Sequence, residues 1–202
     1  MNFLPRISYF AVACVLFGFS SAAAATPEPD ADPFELDLDN NINSPSVPAK
    51  RQSIVKESID RLKQTLDKAG FKATRQRQGE VLRFTIPCER LFKANETTLS
   101  SQGINYLAKL KFPGEISGKY KLLIAVHADD TGEQSYADAL TAARANAIDD
   151  FLTRQMQGLE IIIVPYGIGH DEPLVNNDSV LNRAKNRRVD FYLVPTAALF
   201  AK

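Results

Sequence analysis

The chain is poor in the side chains that bind metals and staple folds: two histidines and two cysteines in 202 residues. His127 and His170 stand 43 residues apart, and no His-x-x-x-His or Cys-x-x-Cys spacing occurs. The set His127, Asp129, Asp130 and His170 therefore lacks the pattern of a metal site. His127 reads instead as a strand-end histidine hydrogen-bonded to backbone. Cys14 lies in the leading apolar run, so removal of that run would leave Cys88 the sole thiol, with no internal disulfide possible. Cys88 has no neighbouring histidine to activate it and reads as a half-buried small hydrophobe. An excess of either charge is missing too: 24 Lys+Arg balance 24 Asp+Glu, which argues against a general nucleic-acid binder. No phosphate-loop or dinucleotide pattern is present, and "GIGHDEP" at 167–173 reads as a turn. Asp129-Asp130 and Asp149-Asp150 are the remaining hint of hydrolase carboxylates, and the second pair falls late in a helix, where solvent exposure is the ordinary explanation. The expected protein is not an enzyme and uses no cofactor and no metal.

What is present begins with "MNFLPRISYFAVACVLFGFSSAAAA". One charge, Arg6, precedes an apolar run and then small residues, the layout of a secretory signal. Residues 1–25 are expected to be a signal peptide cut in the Ala22–Thr26 region. Ile7 to Ala25 is nearly long enough to span a bilayer, so an uncleaved anchor is the alternative. Residues 26–50 hold five prolines and the acids Glu28, Asp30, Asp32, Glu35, Asp37 and Asp39. Such a segment buries too little apolar surface to offset its ordering entropy and is expected to be an extended linker. Fully stretched, it could reach roughly 80 Å. Residues 50–202 carry 23 basic and 18 acidic residues, a mildly cationic domain on an acidic tether.

The periodicity then predicts an α/β (α+β) two-layer sandwich. From Gln52, the residues Val55, Ile59, Leu62 and Leu66 share one helix face, and the helix ends at Gly70. Phe71–Arg77 and Glu80–Pro87 alternate as two strands around a turn at Gln78-Gly79. Residues 51–79 thus form a helix and first strand ahead of a main domain at 80–198. Thr98 to Leu110 reads as a second amphipathic helix using Leu99, Ile104, Leu107 and Leu110. "KYKLLIAVH", "LEIIIVPYG" and Val189–Val194 read as buried strands. Between them fall a long helix from Gln134 to about Met156 and a short one at Asn182–Arg187. Strands alternating with helices make a sheet with helices packed against it.

The long helix carries an arginine in an apolar stripe. Tyr136, Leu140, Arg144, Ile148 and Leu152 recur at four-residue spacing. The preceding strand ends at His127, Asp129 follows in the turn, and Thr131 with Gln134 has capping-box spacing for the helix start. A strand end meeting a helix N-terminus is where αβ folds place ligand groups. Arg144 lies about 15 Å along the axis from Asp129, with its side chain directed back towards that end. Two readings remain open on the residues alone. Arg144 is a buried ion-pair partner of Asp129 or another acid, or the two flank a gap and hold a zwitterion. In the second case the acid takes an ammonium and the guanidinium takes a carboxylate by two parallel hydrogen bonds.

"HADDTGEQSYADALTAARANAIDDFL", "GIGHDEPLVNN" and "NRAKNRRVDF" together resemble the OmpA-like C-terminal domain. This is the periplasmic module of porin-like outer-membrane proteins, peptidoglycan-associated lipoproteins and flagellar stator proteins. The resemblance runs from about Arg83 to Pro195. His127-Ala128-Asp129, Gly132, Tyr136-Ala137, Leu140-Thr141, Arg144-Ala145 and Asn186 to Val189 follow the family's order, and "LFKANETTLSSQG" is similar to its first segment. The resemblance implies a β/α/β/α/β sheet with helices packed against it, here preceded by an extra N-terminal helix and strand. It also implies non-covalent binding of peptidoglycan through the diaminopimelate of its stem peptide. The family's paired aspartate and arginine map onto Asp129 and Arg144. Secondary contacts map onto Gly132, Ala137, Leu140, Arg183 and Arg187, with amides at the helix opening near Gly132 facing the carboxylate. Two positions depart from the pattern: the family's threonine is Ala128 and its asparagine Ala137. The implied setting is the periplasm of a Gram-negative cell envelope. Two alternatives follow: a drifted pocket serving an envelope protein partner as an interaction adaptor, and a stator-like tether held in the inner membrane by residues 7–25.

Overall fold

Strand β3, Tyr120–His127, is buried along its whole length, as its run of apolar residues requires, and the other strands assemble around it. The computed structural model describes residues 32–201, so the expected signal peptide and the first residues of the expected linker lie outside the described residues. The remaining strands are β1 (Thr74–Gln76), β2 (Val81–Pro87), β4 (Ile162–Gly169) and β5 (Arg188–Pro195), in the sheet order β1-β2-β5-β3-β4. β4 runs parallel to β3, as a helical crossover between them demands. β5 lies antiparallel to both β3 and β2. The helices are α1 (Leu38–Asn43), α2 (Gln52–Lys68), α3 (Ser101–Leu107), α4 (Gln134–Gln155) and α5 (Val180–Asn186).

Strand alternation sorts the side chains onto two faces. Leu82, Phe84, Ile86, Leu122, Ile124, Val126, Val189, Phe191 and Leu193 form one face and pack on Val55, Ile59, Leu62 and Leu66 of α2 and Ile148 and Leu152 of α4. Phe84 and Phe191 are direct cross-strand partners with rings stacked at 4.8 Å. α4 lies close to β4 because Gly167 has no side chain: a Cβ there would stand 2.3 Å from the Ala142 nitrogen.

The other face holds Val81, Leu123, Ala125, Val164 and Val194, and the supposed linker covers part of it. The expectation of an extended linker is corrected here for residues 32–50. Asp37 caps α1 by accepting from the Asn40 amide at 2.8 Å. Leu38 and Val47 are buried, and Asn41 is fully so. Asn41 donates to Tyr166 Oη at 2.6 Å and accepts from Lys121 Nζ, while Tyr166 donates to Leu36 O at 2.9 Å. Composition favoured an extended linker, but a few apolar residues at the right spacing, facing an otherwise bare sheet, tie this strap down.

Other differences are local. The first strand is three residues long, not seven, and it ends at Gln76 because Arg77 and Gln78 take positive φ in the turn. The predicted helix over 98–110 contracts to α3, where Ser100 caps the start by accepting from the Gly103 amide at 3.0 Å. Ile104 turns outwards, 41% exposed, rather than into the core. Among the described residues no helix is long and apolar enough to cross a membrane.

Candidate ligand-binding site

A cavity of about 380 Å³ opens where the end of β3 meets the first turns of α4. Its polar lining includes Asp129, Thr131, Arg144 and Arg187, with Glu89 and Lys93 beside them. Phe92, Ala128, Ala137 and Leu140 supply an apolar wall, completed by Cys88, Ala94 and Tyr136.

Asp129 leaves the end of β3 and is 5% exposed. Its Oδ1 accepts from the Thr131 amide at 3.1 Å and from the Thr131 hydroxyl, and its Oδ2 accepts from Arg187 Nη1. Burial works against the charge, but the Thr131 hydrogen bonds and the Arg187 pairing outweigh it and hold the carboxyl below its ordinary value. The acid is thus a fixed anion at neutral pH. Thr131 spends its side chain here and does not cap the helix; α4 starts at Gln134 with Glu133 at the cap position and no side-chain cap bond. The expected capping box is not formed.

Arg144 is 6% exposed on the inward face of α4. Its Nε donates to Glu96 O at 2.9 Å and its Nη2 to Lys93 O at 3.2 Å, with the guanidinium carbon 4.9 Å from the Phe92 ring centre. Among the described residues it forms no ion pair with Asp129 or any other acid. Of the two readings left open by the sequence, the buried ion pair is not the one built. The arginine instead pins the 93–96 loop, in which Asn95 takes φ 58°, against the cavity. Nη1 makes no hydrogen bond among the described residues and is not sealed from solvent. Backbone carbonyls orient the guanidinium without cancelling its charge.

Of the residues singled out from the sequence, Asp129, Ala137, Leu140, Arg144 and Arg187 come together in this cavity, while Gly132 and Arg183 do not line it. Gly132 takes φ 127° in the turn ahead of α4, so the helix amides begin beyond it. Arg183 turns away, donating to Asn177 O at 2.8 Å. Sequence reasoning missed the contribution of Glu89, Lys93 and Asn95 and the site roles of Phe92 and Tyr136. These come from a loop before α3 with no periodicity of its own; the four-residue stripe could have found Tyr136. Each step of four advances about 40° around a helix, so Tyr136, 50% exposed, has rotated out of the core into the cavity mouth.

Cys88 is 4% exposed rather than half-buried, and burial pushes its thiol up to about 11. His127 is not bonded to backbone through its ring. Its Nε2 lies 3.4 Å from Asp190 Oδ2, and neither ring nitrogen has a well-aligned hydrogen bond. Asp190, wholly buried on β5, also accepts from Thr85 Oγ1 at 2.6 Å, Arg83 Nη2 at 2.8 Å and Arg188 Nε at 3.0 Å. This cluster braces the sheet beside the cavity.

No family model matches the chain. Over 63 residues it is 35% identical to the candidate lipoprotein YfiB of Escherichia coli, a stretch covering 31% of this chain and 39% of that relative. The match thus spans about two fifths of YfiB. Among solved structures, a MotB-like protein from Desulfovibrio vulgaris superposes with a TM-score of 0.58 at 20% identity, over 72% of this chain and 95% of that one. The cell wall anchor of the T6SS from Pseudomonas aeruginosa gives a TM-score of 0.48 at 21% identity, over 68% and 96% of the two chains. The fold is that of the OmpA-like C-terminal domain.

Proposed function

We propose that this chain, an OmpA-like fold with a charged cavity at the end of its central strand, is a cell-envelope tether that holds peptidoglycan without reacting with it. The observation that carries the proposal is the unpaired relation of Asp129 and Arg144: a fixed anion and a fixed cation line one cavity without neutralising each other. A ligand with an ammonium and a carboxylate on one carbon matches them. The end of a diaminopimelate side chain in the stem peptide is such a group. Asp129 receives the ammonium, and Arg144 offers Nη1 to the carboxylate. Phe92 and Leu140 take the methylene chain leading to it. Both ionic groups are held by the protein beforehand, so little ordering cost falls on binding. Cys88, the cavity's one thiol, is protonated at neutral pH, consistent with a binding site rather than a catalytic one.

The chain's leading segment fits export to the periplasm, where a wall-binding domain would act. Several such domains along one polymer would gain avidity from individually modest contacts.

A second reading rests on Ala128 and Ala137. Both line the cavity where the OmpA-like pattern has threonine and asparagine, so two hydrogen-bonding groups are missing and a drifted pocket would leave an interaction adaptor. Co-sedimentation with purified diaminopimelate-type sacculi decides between them, using the chain from residue 26 so that the strap is kept. Wild type should pellet, and Asp129→Ala and Arg144→Ala should stay in solution while folded. Folded wild type that stays in solution would overturn the wall-binding reading and favour the adaptor one.

A further inference from the structure

We infer that Arg187 makes this site selective for zwitterions, by holding Asp129 in an ion pair that only a ligand carrying both an ammonium and a carboxylate can exchange. The inference rests on the reading of the cavity given above and adds how the ligand is chosen.

Asp129 has little capacity left for a newcomer. Thr131 takes Oδ1 with two donors, and Arg187 Nη1 takes Oδ2. With Asp129 only 5% exposed, an ammonium reaches it through the position that the Arg187 guanidinium holds. Arg187 is differently placed. It follows the end of α5, its side chain is 40% exposed, and it makes no other side-chain hydrogen bond among the described residues. It can therefore swing from Asp129 without leaving a buried group unpaired, whereas Arg144 is fixed by two carbonyls and stays.

The exchange is then a matter of counting ion pairs. A simple amine displaces one cation from Asp129 with another and returns Arg187 to water, so one pair is broken and one made. A zwitterion breaks the same pair but brings a carboxylate beside the ammonium. Arg187 moves onto that carboxylate next to Arg144, so the single pair is replaced by three contacts. The two arginines approach the carboxylate from different elements, α4 and the segment between α5 and β5. A planar carboxylate has two oxygens to give them.

Calorimetric titration tests this with two probes, meso-diaminopimelate and cadaverine, which has the ammonium groups but no carboxylate. Wild type should prefer diaminopimelate strongly. Arg187→Ala and Arg187→Gln should lower that preference by about tenfold or more, the worth of one charge-assisted hydrogen bond. Cadaverine should gain affinity in both variants because Asp129 is unblocked. Arg187→Lys, which keeps a pairing cation, should retain most of the preference. An unchanged preference in folded Arg187→Ala would overturn the exchange alone. Wild type that takes cadaverine as well as diaminopimelate would overturn the carboxylate recognition by Arg144 and the exchange together. Wild type that binds neither probe would overturn the underlying reading and the exchange together.

Discussion

Replacing Lys121 by methionine should make the protein more stable at neutral pH, with a gain that fades in alkali. Lys121 sits on the strap-covered face of β3, 4% exposed, and its ammonium has the Asn41 side-chain oxygen as its hydrogen-bond partner. Among the described residues no carboxylate lies within ion-pairing distance of it. Burial, aided by nearby Arg77, pushes the ammonium down to about 8 from 10.5. Because the folded value lies below the unfolded one, the charged lysine carries a penalty fully present below about pH 8. That penalty is relieved as pH rises towards 10.5. A depression of this size corresponds to roughly 3 kcal/mol at neutral pH. Methionine has similar length and an adaptable thioether. It leaves the buried Asn41 oxygen without a donor, at a cost of about 1 to 2 kcal/mol. The expected net gain is about 1.5 kcal/mol at pH 7, gone by about pH 9.5. Urea unfolding of wild type and variant at both pH values measures it. A variant less stable than wild type at neutral pH, or a gain that does not change with pH, would refute the reasoning.

Other perturbations test other layers. Asp190→Ala leaves Arg83 and Arg188 without their shared carboxylate and should cost about 3 to 5 kcal/mol in denaturant melts. The same cluster holds the Asp190 carboxyl far below the usual carboxylate range, against the effect of burial. Its contribution is therefore present above about pH 4 and lost as pH falls well below that; Asp190→Ala should flatten this part of the acid-unfolding curve. Gly167→Ala puts a Cβ 2.3 Å from the Ala142 nitrogen, forcing α4 off β4. It should lower stability by about 3 kcal/mol and loosen the cavity wall that α4 carries. Leu38→Ala should cost about 2 kcal/mol, where an extended linker would register nothing.

Much of the sheet could be read from the sequence because period-two alternation and period-3.6 stripes are local signals. β3, β5 and α4 fall where the pattern puts them; β4 is recognised but displaced, beginning at Ile162 rather than Leu159 and running through Gly169 into the stretch read as a turn. The strap was not legible: its prolines and acids dominate its composition, and the three or four residues that anchor it have meaning only opposite Lys121, Leu123 and Tyr166. In the cavity, Asp129 and Arg144 were marked by an arginine out of place on an apolar stripe. The partner each has could not be read. Arg144 is held by backbone carbonyls of a loop, which leave no trace in side-chain identity, and Asp129 by an arginine 58 residues away. Gly132 was expected to turn helix amides towards the ligand, but it lies in the turn before α4 and does not line the cavity, and Thr131 serves Asp129 rather than the helix start.

The central claim is that the cavity recognises an ammonium and a carboxylate on one carbon. The most direct measurement is release of sacculus-bound protein by free meso-diaminopimelate, with cadaverine as the competitor that keeps the ammonium groups and lacks any carboxylate. The account predicts concentration-dependent release by diaminopimelate and little by cadaverine, and no pelleting with lysine-type wall, whose lysine α groups are tied up in peptide bonds. Equal release by the two, or pelleting with both kinds of wall alike, would contradict it.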